Sequence, residues 1–207
     1  MDIIDIKRCQ KNVSEEQKSF LNVLKKYFNG KYKNPRILNI CCGSANEEPV
    51  LFKYFGEGSE LISIDKSDYA KEFAEAFKRK TFRQGDVSEL EHIVDGKFDI
   101  VIGRNLTLSP YGLGLSRKEG KERFYYWFCI FDKITNYLKD NSTLFITLLR
   151  DDEFKVGNGI LNSLDYRIKL SERNKITVHS DGIGVAGSST KDHYLIIAQP
   201  PLQLKLI

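Results

Sequence analysis

The stretch Arg36-Ile-Leu-Asn-Ile-Cys-Cys-Gly-Ser-Ala-Asn-Glu-Glu-Pro49 constrains the fold of this 207-residue chain more than any other. An apolar run from Ile37 to Cys42 stops at the small-residue turn Gly43-Ser44-Ala45, and Asn46-Glu47-Glu48-Pro49 then opens a helix. A buried strand, a tight turn and a helix start together hold nucleotide-like ligands at the carboxyl edge of a sheet. Gly43 permits close backbone approach, and Ser44 to Asn46 can present N–H groups. Glu47 and Glu48 suit a helix N-terminus, with or without a ligand.

The same strand–helix rhythm continues downstream. Strand Arg36–Cys42 leads to a helix at 47–55, and strand Glu60–Ile64, ending at Asp65, leads to a helix at 68–79. A short strand near Thr81–Arg83 precedes Gly85-Asp86 and a brief helix at 88–94. Strand Phe98–Ile102 ends at Gly103-Arg104-Asn105, and a glycine-containing basic loop precedes a long helix through Phe124, Phe128, Phe131 and Leu138. Strand Thr143–Leu149 follows, then one short helix near 153–162. The tail reads as strands at Tyr166–Leu170, Lys175–His179 and His193–Ala198, with a loop at Asp181–Ser189. The expectation is an α/β, Rossmann-like fold: a mostly parallel sheet, helices on both faces and an antiparallel end.

Ahead of this domain, Ser14-Glu-Glu-Gln17 reads as a capping box for a helix with Phe20, Leu24 and Phe28 on its apolar face. Residues 1–34 are therefore expected to form an N-terminal helical extension, and 35–207 the ligand-binding domain. The charge of +4 is mild and the basic residues are scattered, which permits an anionic partner without demanding one. Neither a secretory core nor a membrane-length apolar run is present, so a cytoplasmic location and no membrane partner are expected. The cysteines and histidines lack the spacing of a metal site, and no metal is expected.

Two acids follow strands. Asp65 lies 22 residues after Gly43, where a carboxylate can accept both ribose hydroxyls of an adenosine-containing ligand. Asp86 can accept from an adenine amino group, with Val87 against the ring. Either acid alone is also an ordinary turn former or helix cap.

Taken in order, these residues resemble the class I S-adenosylmethionine-dependent methyltransferases over roughly residues 36–198. Leu38 to Asn46 looks like the family's first motif, Ile64-Asp65 its second, Gly85-Asp86 its third and Phe98 to Ile102 its fourth. The resemblance implies a seven-stranded sheet with a reversed final strand, and S-adenosyl-L-methionine as cofactor. Gly43 and its neighbours Asn39, Cys42, Ser44 and Glu47 are then cofactor-binding, beside the methionine part. Asp65, with Lys66 next to it, would bind ribose, while Asp86 and Val87 would receive adenine. Asn39 stands where the family has an acid, and Cys41 and Ala45 where it has glycines. Asn46-Glu-Glu-Pro49 and Gly103-Arg-Asn105 are locally similar to the chemotaxis-receptor glutamate methyltransferases, a likeness too partial to carry over their substrate. A dinucleotide oxidoreductase is disfavoured, because Cys41 to Asn46 lacks two glycines of a Gly-x-Gly-x-x-Gly turn.

Methyl transfer requires alignment of a nucleophile and, for some acceptors, proton removal. Arg104 and Asn105 leave the fourth strand at its ligand-facing edge and are the expected catalytic residues. Tyr111 and Tyr125 are expected acceptor contacts, with Tyr126 a further possibility. Arg104-Asn-Leu-Thr107 is not the Asn/Asp-Pro-Pro-Tyr/Phe signature of amino-group methylation on bases, and no DNA signature is present. The expected acceptor is a small molecule or protein side chain. RNA is the alternative acceptor, and a catalytically inactive ligand sensor or partner activator the alternative of another class.

Overall fold

The computed structural model describes residues 17–43, 45–109, 117–179 and 188–202. Helix α1 (residues 17–28) is followed by β1 (Arg36–Ile40), α2 (Glu48–Phe55), β2 (Glu60–Asp65), α3 (Asp68–Ala76) and β3 (Phe82–Gln84). A 3-10 turn, Val87–Glu89, runs into α4 (Leu90–Ile93), and then come β4 (Phe98–Gly103), α5 (Arg117–Thr135) and β5 (Leu138–Leu148). The chain closes with α6 (Asp151–Ser163), β6 (Arg167–His179) and β7 (Ser188–Gln199). The seven strands form one sheet in the order β3-β2-β1-β4-β5-β7-β6. β1 to β5 pair in parallel, and β7 runs antiparallel to both β5 and β6. Only β7 is reversed.

Alternation along β1 explains the layering. Ile37 faces a core shared with α1 and α2, whereas Leu38 and Ile40 face one shared with α4, α5 and α6. A central strand apolar on both faces must be covered twice, and each buried Leu or Ile stabilises by roughly 1.5–3 kcal/mol. Phe20, Leu24 and Phe28 of α1 recur every fourth residue and are all buried. Phe28 packs edge-on against Phe55 at 5.4 Å, and Phe20 against Phe145 at 6.2 Å. The expected capping box begins at Ser14, outside the described residues. Its last member, Gln17, instead donates from Nε2 to the Asn46 carbonyl at 2.7 Å, tying α1 to the β1–α2 turn.

Several boundaries differ from the sequence expectation. β1 stops at Ile40 rather than Cys42, because Cys41 adopts a left-handed φ of 49°. α3 ends at Ala76, not 79: Lys78 is left-handed (φ 54°), and the Arg79 N–H closes back on the Ala74 carbonyl at 2.7 Å. Leu138 belongs to β5, not to α5. Its apolar spacing continues the helical pattern, but α5 ends at Thr135 and Leu138 pairs with Phe98, with a register shift before Ile100↔Thr143. Tyr166–Leu170 and Lys175–His179, expected as two strands, fall on one. β6 runs unbroken through Glu172, Arg173 and Asn174, opposite Leu195, Tyr194 and His193 of β7, with a bulge between Ile168 and Leu170. Backbone pairing here outweighs the polar composition. Beyond the last β5–β7 pair, Leu148↔Tyr194, β6 and β7 continue as a two-stranded ribbon past the carboxyl end of β5.

Candidate functional site

Three strand ends converge at the carboxyl edge. After β1 the backbone is left-handed at Cys41 (φ 49°), Gly43 (53°) and Ala45 (52°). For Cys and Ala this costs roughly 1–2 kcal/mol each. Hydrogen bonds hold it in place: Cys42 N–H donates to the Ile64 carbonyl at 3.0 Å, and Ala45 N–H to the Cys42 carbonyl at 3.0 Å. Gly43 N–H donates to Asp65 Oδ2 at 2.9 Å. A Cβ added at Gly43 would meet no atom within 4 Å, so the outer side of the turn is open. The second Asp65 oxygen accepts from Ser67 N–H at 3.0 Å. Asp65 therefore pins the β1 turn to the β2 turn, and two of its four acceptor positions are filled from within. Ser44 lies outside the described residues.

At the end of β3, Asp86 Oδ1 accepts from Ser88 N–H and from the Tyr126 hydroxyl, both at 2.9 Å. Lys66 Nζ reaches Oδ2 at 3.2 Å. Lys66 thus pairs with Asp86, not with Asp65. Partial burial raises the Asp86 carboxyl, but the hydrogen bonds from Ser88, Tyr126 and Lys66 outweigh it and hold the group at about 2, below its ordinary 3.8. Burial, and donation to Asp86, push the Tyr126 phenol up. A depressed carboxylate contributes stability that is fully present above pH ~4 and lost as pH falls from there toward ~2. The stability difference between parent and Asp86→Asn should therefore narrow across that window in urea titrations. A difference independent of pH would remove the clamp.

At the end of β4 the two polar residues part company. Arg104 continues the Ile100–Ile102 side of the strand toward α1, where its NH1 bonds Glu47 Oε1 and its guanidinium lies 4.5 Å over the Phe20 ring. Asn105 is left-handed (φ 53°), and its N–H donates to Thr147 Oγ1 at 3.0 Å. Two residues on, the Thr107 carbonyl accepts from Arg123 Nε and Trp127 Nε1, each at 3.0 Å.

These elements enclose a cavity of about 320 Å³. Asp65, Lys66, Asp86, Val87 and Asn105, all expected at the site, line it together. So do Tyr126, named as a further possible acceptor contact, and Cys41, Thr107, Arg123 and Trp127, which were not assigned there. Burial, followed by the Asp65 and Asp86 charges, pushes the Cys41 thiol up to about 12. Asn39, Cys42, Gly43, Glu47 and Arg104 are not among the residues that line the cavity. Tyr125 points away from it, 67% exposed, while its neighbour Tyr126 turns inward. Tyr111 lies outside the described residues. Arg123, Tyr126 and Trp127 sit three and four residues apart on one helical face, a spacing the sequence already displayed.

The turn is not an open phosphate cradle, because the Gly43 N–H is committed to Asp65. Among the described residues, fully buried Asn39 has no partner for either amide atom, and buried Asn46 Oδ1 and Glu47 Oε2 have none either. Buried polar atoms rarely go unsatisfied, and a polar group at this place would satisfy them. Three acceptors and one donor on and behind the turn suit an ammonium-bearing aminoacyl end. Asp65 and Asp86 on the cavity side suit a nucleoside. Among the described residues no group of three His, Cys, Asp or Glu could hold a metal, and no helix is long and apolar enough to cross a membrane.

A family model for a methyltransferase domain matches residues 31–196. No curated protein matches the sequence significantly. Solved structures with a similar fold include magnesium protoporphyrin IX methyltransferase (ChlM) from Synechocystis with bound S-adenosylmethionine, 12% identical, with TM-score 0.58 over 93% of this chain and 83% of that one. A precorrin-6y methyltransferase from Geobacter metallireducens is 12% identical, with TM-score 0.59 over 82% of this chain and 81% of the other. TrmN from Thermus thermophilus is 14% identical, with TM-score 0.57 over 87% of this chain. The match spans only 48% of the TrmN chain, about half its length. The strand order with its single reversed strand, the acids at the β2 and β3 ends and the family match agree: the chain belongs to the methyltransferase-domain family, with the class I S-adenosylmethionine-dependent methyltransferase fold.

Proposed function

We propose that the chain transfers a methyl group from S-adenosyl-L-methionine to a small molecule or a protein side chain. The observation that carries this reading is the shared cavity of Asp65 and Asp86, presented from adjacent strand ends beside an open glycine turn. When bound, the donor supplies a methyl carbon already activated by its sulfonium. The protein's work is then positional. Asp65 keeps two acceptor positions for ribose hydroxyls, Asp86 one for a base amine, and Val87 offers an apolar surface to the ring. Asn39, Asn46 and Glu47, on and behind the turn and outside the cavity lining, would offer their buried polar atoms to the aminoacyl end. Asn105, fixed through Thr147, presents its amide to the acceptor. Cys41 narrows the wall where the family has glycine.

Ligand-dependent melting tests the reading. At ~100 times its dissociation constant, S-adenosylmethionine or S-adenosylhomocysteine should stabilise the fold by about 2.7 kcal/mol, or ~5–10 °C for a chain of this size. Stabilisation by NAD alone would overturn it. Turnover of labelled donor against small-molecule, protein and RNA pools then identifies the acceptor class. Label carried only into RNA would replace the acceptor named here, and donor binding without turnover would favour the sensor.

A further inference from the structure

Among the described residues, the Asp86 carboxylate is clamped by hydrogen bonds from three residues, and these three bonds leave one acceptor position on Oδ2. Ser88 N–H and the Tyr126 hydroxyl, each at 2.9 Å, fill both positions of Oδ1. Lys66, at 3.2 Å, fills one of the two on Oδ2. Ser88 sits in the same turn as Asp86, and its N–H cannot move independently. Tyr126 comes from α5, 40 residues away, so its hydroxyl fixes the carboxylate plane from outside the turn. The Lys66 ammonium lies 5.9 Å from the Tyr126 ring, on the same side. The charged and titratable groups facing this carboxylate are Lys66 and Asp65 from β2 and its following turn, Cys41 after β1, and Arg123 and Tyr126 from α5.

We propose that Tyr126 is a positioning residue for base recognition: it orients Asp86 so that the one open lone pair on Oδ2 meets the exocyclic amine of the donor's purine. This rests on the donor reading above. An amine brings a hydrogen to that lone pair, whereas an oxo group brings a second acceptor and is repelled. Tyr126→Phe removes only the hydroxyl. The ring keeps its edge-on contact with Trp127 at 5.8 Å, and the cavity keeps its shape.

Calorimetric titration of parent and Tyr126→Phe with S-adenosylhomocysteine and with its oxo analogue, S-inosylhomocysteine, separates positioning from simple packing. The phenyl variant should bind the adenosyl ligand about 5- to 20-fold more weakly, yet lose less than about 2-fold with the inosyl ligand, which makes no bond for Tyr126 to support. Equal losses for both ligands, or no loss for either, overturn the proposal. Lys66→Gln provides a second variant at an exposed position, and it should show the same ligand-selective loss if Tyr126→Phe does not fold. A parent protein that binds no adenosyl ligand removes the donor reading and this proposal together. A parent that binds while Tyr126→Phe binds equally well removes only this one.

Discussion

Asp65→Asn should weaken binding of S-adenosylmethionine roughly 10- to 150-fold, the loss of a hydrogen bond to a charged group worth about 1.5–3 kcal/mol. The structure adds a second consequence. Both carboxylate oxygens already accept backbone N–H groups, Gly43 at 2.9 Å and Ser67 at 3.0 Å. Asparagine offers one acceptor oxygen and turns an amide N–H₂ toward the other donor. The amide can keep its oxygen on the part-buried Gly43 N–H and face the exposed Ser67 N–H, which water then satisfies. A further cost of about 0.5–1.5 kcal/mol in folding stability is expected. Urea denaturation of the apo protein reports the stability loss, and calorimetry of the folded fraction the affinity loss. A variant as stable as the parent would show that these two bonds do not hold the β1 and β2 turns together, and unchanged affinity would take Asp65 out of the ligand site.

What could be read from the sequence, and what could not, follows from which interactions are local. The strand-turn-helix rhythm and the acids at the ends of β2 and β3 depend on short-range patterning, and they emerged as expected. Lys66 was placed beside Asp65 because the two are neighbours in sequence. Consecutive residues leaving a strand diverge, and Lys66 instead reaches the acid of the adjacent strand. Arg104 shows the same effect: the alternation that buries Ile100 and Ile102 against α1 sends its guanidinium there, away from the cavity that Asn105 enters. Sequence alone does not say which face of the sheet a ligand uses. Tyr126 and Trp127 read equally well as core residues, since an aromatic helix face looks the same whether it meets a sheet or a pocket. The Gly43 partner of Asp65 was invisible for another reason: it comes from a turn whose left-handed residues, Cys41 and Ala45, are not ones that propensity would select.

The same placement of Arg104 changes what its removal should do. Its side chain is 9% exposed and that of Glu47 8%, so the pair is nearly withdrawn from water. Glu47 Oε2 already lacks a partner among the described residues. Arg104→Ala strips Oε1 of the guanidinium as well and leaves an uncompensated carboxylate under α1. Breaking a buried pair from one side costs about 3–5 kcal/mol, while replacing both members with neutral groups of similar volume is often close to neutral. Arg104→Ala should therefore destabilise by that amount, and Glu47→Gln/Arg104→Met should recover most of it. The lost contact with Phe20 adds to the single-variant cost, because α1 is tied to the site through that ring and through Gln17. Turnover lost in Arg104→Ala must accordingly be measured below its unfolding transition before any of it is assigned to chemistry. Asn105→Ala, whose main-chain bond to Thr147 survives the change, reports on the reaction more directly. Urea titrations of the two singles and the double decide the matter. An Arg104→Ala protein within about 1 kcal/mol of the parent would mean that water reaches Glu47, as it does at exposed pairs.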